Sequence, residues 1–164
     1  IGANVAHRPS GHGAGDEPMA ELSVAQGGIR GSVAGGELIV RMIDEIPAVC
    51  ALAAVASGRT EIRDAAELRV KESDRIATMA QVLGAFGVPC EELPDGMIVT
   101  GGAALRGARI ESQGDHRIAM SAALLGMLAD GETTIDGAEA VDTSFPGFVA
   151  LMRSLGADIT EETP

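Results

Sequence analysis

"SGRTEIRDAAEL", residues 57–68, returns further along the chain as "DGETTIDGAEAV", residues 130–141. Both read Gly-x-Thr-x-Ile, then an Ala and a Glu. Upstream, "GGELIVRMIDEIPAVCALAAVA" (35–56) parallels "RGARIESQGDHRIAMSAALLGMLA" (106–129), and downstream "MAQVLGAFGV" (79–88) parallels "LMRSLGADIT" (151–160). The offset stays near 71 to 73 residues in all three comparisons. Ala-rich helices resemble one another by chance, but chance does not hold one offset across three segments. A supersecondary unit has been duplicated, at a period longer than solenoid repeats use. The units expected run over about 20–105 and 106–164, the second truncated, within one partial domain covering residues 1–164.

Each unit reads as strand, helix, strand, helix, then strands. "ELIVRMI" (37–43) alternates and is β-branched enough to predict a strand, and residues 44–57 a helix with an acidic first turn. "RTEIRD" (59–64) predicts a short strand. Residues 73–86 predict an amphipathic helix with Ile76, Met79, Ala80, Leu83 and Phe86 on one face, ended by Gly87. "PCEEL" and "MIVTG", around Pro94-Asp95-Gly96, predict a hairpin. Past its polar first turn, the first helix of each unit is Ala, Val, Leu and Met on every side. A helix apolar all round is buried all round, which points to helices inside and sheets outside. Two helices packed on one sheet would leave a similar pattern.

Composition narrows the function. The 164 residues are 46% hydrophobic and 22% charged, as globular chains are. A formal charge of -12 with three Phe, no Tyr and no Trp argues against nucleic acid as a partner, which calls for a basic face and stacking rings. The longest apolar run, "AVCALAAVA" (48–56), is too short to span a bilayer. Cys50 and Cys90 lie in apolar surroundings without CxxC or His spacing and read as reduced core residues of a cytoplasmic protein. The three His lack the spacing of metal ligands, so neither metal nor cofactor is expected. "GHGAG" (11–15) lacks the Gly-Lys-Ser/Thr of a phosphate-binding loop; it and the surrounding residues 7–18 read as loop. The chain opens on Ile1 rather than Met and is expected to be a piece of a longer protein.

The polar residues gather at helix starts. Asp44 and Glu45 open the first helix, and Lys71, Glu72, Asp74 and Arg75 the second. Asp115, His116 and Arg117 open the third, and Asp142, Thr143 and Ser144 the fourth. Capping explains Asp115, Asp142 and Ser144. It does not explain Lys71, Arg75 and Arg117, since cations there oppose the helix dipole. Either an anion such as phosphate or carboxylate sits among them, or they form a surface salt-bridge network. Lys71 is the only lysine among twelve basic residues. A compact ammonium can hold an anion and exchange a proton, which a guanidinium does poorly.

"LRVKESDRIATMAQVLGAFGV" (68–88), "DHRIAMSAALLG" (115–126), "IDEIPAVCALAA" and "TSFPGFVALMRSLGA" resemble signatures of the 5-enolpyruvylshikimate-3-phosphate synthase family, the 3-phosphoshikimate 1-carboxyvinyltransferases. The likeness covers nearly the whole chain. The sibling UDP-N-acetylglucosamine enolpyruvyl transferases share the fold but lack the Lys-Glu-Ser/Thr-Asp-Arg run. The resemblance implies an α/β (α+β) fold of repeated βαβαββ units, an inside-out barrel with helices inside and sheets outside. It implies a transferase of the shikimate pathway, making aromatic amino acid precursors from phosphoenolpyruvate and shikimate 3-phosphate. By the same resemblance Asp44 contacts and deprotonates the 5-hydroxyl of shikimate 3-phosphate, and Glu72 exchanges protons with C3 of phosphoenolpyruvate. Lys71 lies near shikimate 3-phosphate, Arg75 and Arg117 bind phosphoenolpyruvate, and His116 supports them. Where some members carry a lysine before the Ser/Thr-Phe-Pro segment, Thr143 stands here, as in the divergent, glyphosate-insensitive type. The resemblance further implies that the rest of the enzyme, with its own share of the site, is missing. The whole enzyme is expected to be a monomer. The isolated chain is expected to fold, to self-associate and to be inactive. The alternative is a folded module with at most weak anion binding.

Overall fold

Two parallel strand pairs, each bridged by a buried helix, organise the chain. The computed structural model describes residues 2–25 and 27–162. In chain order it forms β1 (Asn4–His12), β2 (Pro18–Ala25), β3 (Val33–Ala34), α1 (Glu37–Arg41), α2 (Ile46–Val55), β4 (Gly58–Ile62) and α3 (Arg75–Ala85). There follow β5 (Cys90–Leu93), β6 (Gly96–Gly101), β7 (Arg109–Glu111), α4 (His116–Gly126), β8 (Thr134–Asp136) and α5 (Phe148–Ser154). Strand β3 pairs parallel with β4 across α2, and β7 pairs parallel with β8 across α4. Antiparallel β6 then joins β4, and β5 joins β6, giving the sheet order β3-β4-β6-β5. The stretch from β3 to β6 is thus βαβαββ, with α1 as an extra turn.

The two crossovers share a backbone device. Gly31 passes so close to β4 that a Cβ would lie 2.1 Å from the Arg59 carbonyl oxygen, and Gly107 meets Glu132 O in the same way at 2.2 Å. The flanking bridges Arg30–Ser57 and Arg106–Asp130 are both parallel. Only a residue without a side chain lets the strands enter at that distance.

Helices α2, α3 and α4 pack on one another, and α2 and α3 also pack on β6. Cys50, Ala53, Ala54, Ile76, Leu83 and Leu125 form one core with Ile62 and Val99 from the sheet. Each large side chain so removed from water contributes roughly 1.5–3 kcal/mol before the entropy of ordering it. On the opposite face of the sheet, beside Ile98, Glu61 of β4 accepts from both Arg59 and Arg63. Cys50 is buried, donates its Sγ–H to Met97 Sδ at 3.3 Å, and burial pushes its thiol up to about 12. It is a packing residue, free like Cys90.

Three local expectations are corrected. Residues 37–43 are not a strand: Glu37–Arg41 is a short helix and Val33–Ala34 supplies the strand. Gly36, at φ 62°, turns the chain and is held by Asp64 Oδ2 at 2.8 Å, while Glu37 favours the first helical turn. Only Ile39 of that helix is buried; the β-branched Ile39, Val40 and Ile43 imitated a strand. Residues 7–18 are not loop: β1 and β2 form an antiparallel ribbon with a bulge between Pro9 and Gly11, turning through residues 13–17. Its residues are exposed on both faces, and residues 7–18 carry no hydrophobic alternation; the alternation Ala20-Glu21-Leu22-Ser23-Val24 lies beyond them in β2, where the expected start near residue 20 also falls. The fourth helix begins at Phe148 behind Gly147, and residues 138–143, with Asp142 and Thr143, form a separate 3-10 turn.

Candidate functional site

The N-terminal ends of α2, α3 and α4 converge, and their polar residues meet there. Asp115 caps α4, with Oδ1 accepting from the backbone N–H of Arg117 at 3.0 Å and Ile118 at 3.5 Å. Asp74 caps α3 by accepting from Ala77 N–H at 3.1 Å. Arg75, the first residue of α3, lies 1% exposed beneath three carboxylates. Its Nε donates to Asp115 Oδ2 at 2.8 Å, Nη1 to Asp44 Oδ1 at 3.0 Å, and Nη2 to Glu72 Oε2 at 2.6 Å. Ser73 Oγ donates to the same Asp115 oxygen at 2.9 Å.

Around this buried centre lies a half-exposed rim. Lys71 Nζ is 2.7 Å from Glu67 Oε1 and 3.6 Å from Asp44 Oδ1. Arg117 Nη1 donates to the Asp44 carbonyl oxygen at 2.8 Å and lies 3.5 Å from Glu45 Oε1. Burial raises the affinity of the Asp44 carboxyl for a proton, but Lys71, Arg117 and Arg75 together outweigh it and hold its pKa below the ordinary carboxylate value. Asp115 behaves alike: burial raises it, while Arg75, Ser73 and the Arg117 N–H bring it below the ordinary value. The hydrogen bond to Glu67 raises Lys71 above the usual lysine value, against some desolvation. The rim therefore presents fixed charges of both signs at neutral pH, with Asp44 an ionised acceptor between three cations.

Five of the residues singled out from sequence come together here: Asp44, Lys71, Glu72, Arg75 and Arg117. His116 opens α4 half-buried, and its ring makes no hydrogen bond among the described residues. Thr143 turns its hydroxyl onto the Ala140 carbonyl at 2.7 Å, outside the cluster. A groove beside Asp44 and Arg117 is lined by Ala48, Met120, Leu124 and Phe148. Among the described residues no group of three or more His, Cys, Asp or Glu is placed to hold a metal, and no helix is long and apolar enough to cross a membrane. Sequence reasoning gave Asp115 a cap and no more. Its second role, as counter-ion to a buried arginine 40 residues away, carried no local signal.

A family model described as EPSP synthase (3-phosphoshikimate 1-carboxyvinyltransferase) matches residues 2–152. The chain belongs to the EPSP synthase family. It is 54% identical over 144 residues to a 3-phosphoshikimate 1-carboxyvinyltransferase of Pelotomaculum thermopropionicum, covering 87% of this chain and 33% of that protein. A relative of the same name from Synechococcus elongatus is 52% identical over 139 residues, 85% of this chain and 31% of its own length. Among solved structures, an EPSP synthase of Acinetobacter baumannii superposes with a TM-score of 0.90 at 39% identity, covering 96% of this chain and 37% of that one. The enolpyruvyl transferase NikO of Streptomyces tendae, at 22% identity and a TM-score of 0.67, shares the fold. The chain spans about a third of the length of these EPSP synthase relatives.

Proposed function

We propose that the longer protein carrying this chain transfers the enolpyruvyl group of phosphoenolpyruvate to the 5-hydroxyl of shikimate 3-phosphate, releasing phosphate. The observation that carries the reading is the gathering of Asp44, Lys71, Glu72, Arg75 and Arg117 from three helix starts into one cluster of alternating charge. Asp44, ionised and half-exposed, accepts the 5-hydroxyl hydrogen bond and takes its proton as the oxygen bonds to C2 of phosphoenolpyruvate. Glu72 delivers a proton to C3. From the resulting tetrahedral adduct, C3 returns its proton to Glu72 as the C2–O bond to phosphate breaks, and the proton held by Asp44 leaves with the phosphate. Arg117 and Arg75 hold the anionic groups of phosphoenolpyruvate, and Lys71 lies toward shikimate 3-phosphate. Arg75 is reached when Glu72 or Asp44, both about half exposed, turns toward a substrate. His116 supports the start of α4. The reaction needs the remainder of the protein, and we place it in the cytoplasm, with the whole protein a monomer.

A second reading, an isolated chain that folds but binds anions weakly or not at all, is favoured by one observation: carboxylates already meet every nitrogen of Arg75. Phosphate release by the full-length protein, measured with both substrates and with each alone, tests the activity. Glu72→Gln should retain substrate binding and lose turnover by roughly 100-fold or more, as removal of an acid–base group does. Near-normal turnover in that variant removes Glu72 from the chemistry.

A further inference from the structure

Arg69 stands two residues before Lys71, yet it binds away from the Asp44 cluster. Its Nε donates to the Pro94 carbonyl at 2.7 Å, and Nη2 to the Leu93 carbonyl at 2.7 Å and Glu92 Oε1 at 2.9 Å. Nη1 donates to Asp74 Oδ2 at 2.8 Å, the carboxylate that caps α3. One guanidinium thus ties three pieces together: its own 3-10 turn (Ala66–Val70), the β5–β6 turn and the start of α3. Between Arg69 and Asp74 the chain is a bend, and none of the backbone N–H groups of residues 71–74 donates to another backbone carbonyl. Lys71 and Glu72 lie in that bend. Side chains tie it down: the Arg69 fork through Asp74 on one side, the Ser73–Asp115 bond on the other, and between them the ion pairs of Lys71 with Glu67 and of Glu72 with Arg75.

We propose that Arg69 is a positioning residue, clamping the bend that carries Lys71 and Glu72 onto the β5–β6 turn so that Lys71 stays beside Asp44 and Glu72 stays on Arg75. A planar fork is required, because the four bonds leave in three directions that a single ammonium cannot satisfy together. The kinetic consequence rests on the enolpyruvyl-transfer reading; the geometric one does not. Misplacement of reacting groups by about an ångström costs on the order of 100-fold in rate.

The test uses the full-length protein with Arg69→Ala and Arg69→Lys, and Arg109→Ala as control, since Arg109 of β7 is an exposed side chain paired with Asp136 of β8. The first readout is acylation of Lys71 by an amine-reactive ester, followed by peptide mass spectrometry. Arg69→Ala should raise it several-fold at a temperature where circular dichroism shows the variant folded. In the second, kcat should fall about 10- to 100-fold, with KM for phosphoenolpyruvate changing less than about threefold. Arg69→Lys should fall between wild type and Ala, and Arg109→Ala should match wild type. A loss of kcat that only follows the fraction unfolded, or wild-type acylation and kcat in a folded Arg69→Ala, overturns the proposal. Should Arg69→Ala not fold, Arg69→Lys and Arg69→Gln provide the same comparison. A wild-type protein without phosphate release overturns the functional reading, and the acylation arm still decides the clamp.

Discussion

Replacing Asp115 by Ala tests whether the buried centre holds the starts of α3 and α4 together. The side chain is fully buried, and its oxygens accept from Arg75 Nε, Ser73 Oγ, Arg117 N–H and Ile118 N–H. Breaking a buried ion pair from one side costs about 3–5 kcal/mol, and losing a helix cap costs about 1 kcal/mol. The two losses do not add, because Arg75 keeps Asp44 and Glu72, each about half exposed. We expect about 3–4 kcal/mol for Asp115→Ala and about 2 kcal/mol for Asp115→Asn, which keeps a capping acceptor. Urea unfolding of the chain, followed by far-UV circular dichroism because there is no Trp or Tyr, measures both. Asp74→Ala, which removes a cap and a partly exposed ion pair with Arg69, is the comparison at about 1–2 kcal/mol. The reasoning is refuted if Asp115→Ala costs no more than Asp74→Ala. The pH dependence gives a second check. The Asp115 pKa in the folded chain lies below the ordinary 3.8, so its contribution is complete above that value. It is lost as pH falls below 3.8 toward the folded value, and Asp115→Asn should flatten that acid limb.

Other expectations follow from the same geometry. Gly31→Ala and Gly107→Ala drive a Cβ into the Arg59 and Glu132 carbonyls and should each destabilise by about 2 kcal/mol or more, while Gly28→Ala, with open space around it, should be near neutral; equal effects at the three positions would remove close approach as the cause. Arg117→Ala in the full-length protein should raise the apparent KM for phosphoenolpyruvate by deleting a charge-assisted contact, and an unchanged KM would sink its assignment. The isolated chain should bind phosphoenolpyruvate in the millimolar range or more weakly, since several contacts of roughly 1.5–3 kcal/mol each are taken to lie outside it. Calorimetric titration returning micromolar affinity would show that this chain holds more of the site than proposed.

The amino-acid sequence by itself pointed to the family and to the five residues of the cluster, and it showed one pattern recurring at a constant offset. Those rest on local signals: Gly-x-Thr-x-Ile recurring at one offset, apolar stretches that bury most of a helix although Leu52 and Leu124 stay exposed, and cations at the helix starts Arg75 and Arg117; Lys71, expected at a helix start, lies instead in the bend before α3. The hairpin around Pro94-Asp95 was equally legible, because its turn residues and strands are contiguous. Sequence alone misread 37–43 and 7–18, where the local pattern and the final structure diverge. The β-branched Ile39, Val40 and Ile43 imitated a strand, and residues 7–18, rich in Gly and polar residues, left no alternation to find. Only the tertiary structure decided which carboxylate meets which cation. Asp115 and Arg75 are 40 residues apart, and Arg69 finds its carbonyl acceptors 24 and 25 residues away. Such pairings depend on how α2, α3 and α4 bring their N-termini together, and helix packing is set by shape across the core rather than by the residues beside each charge.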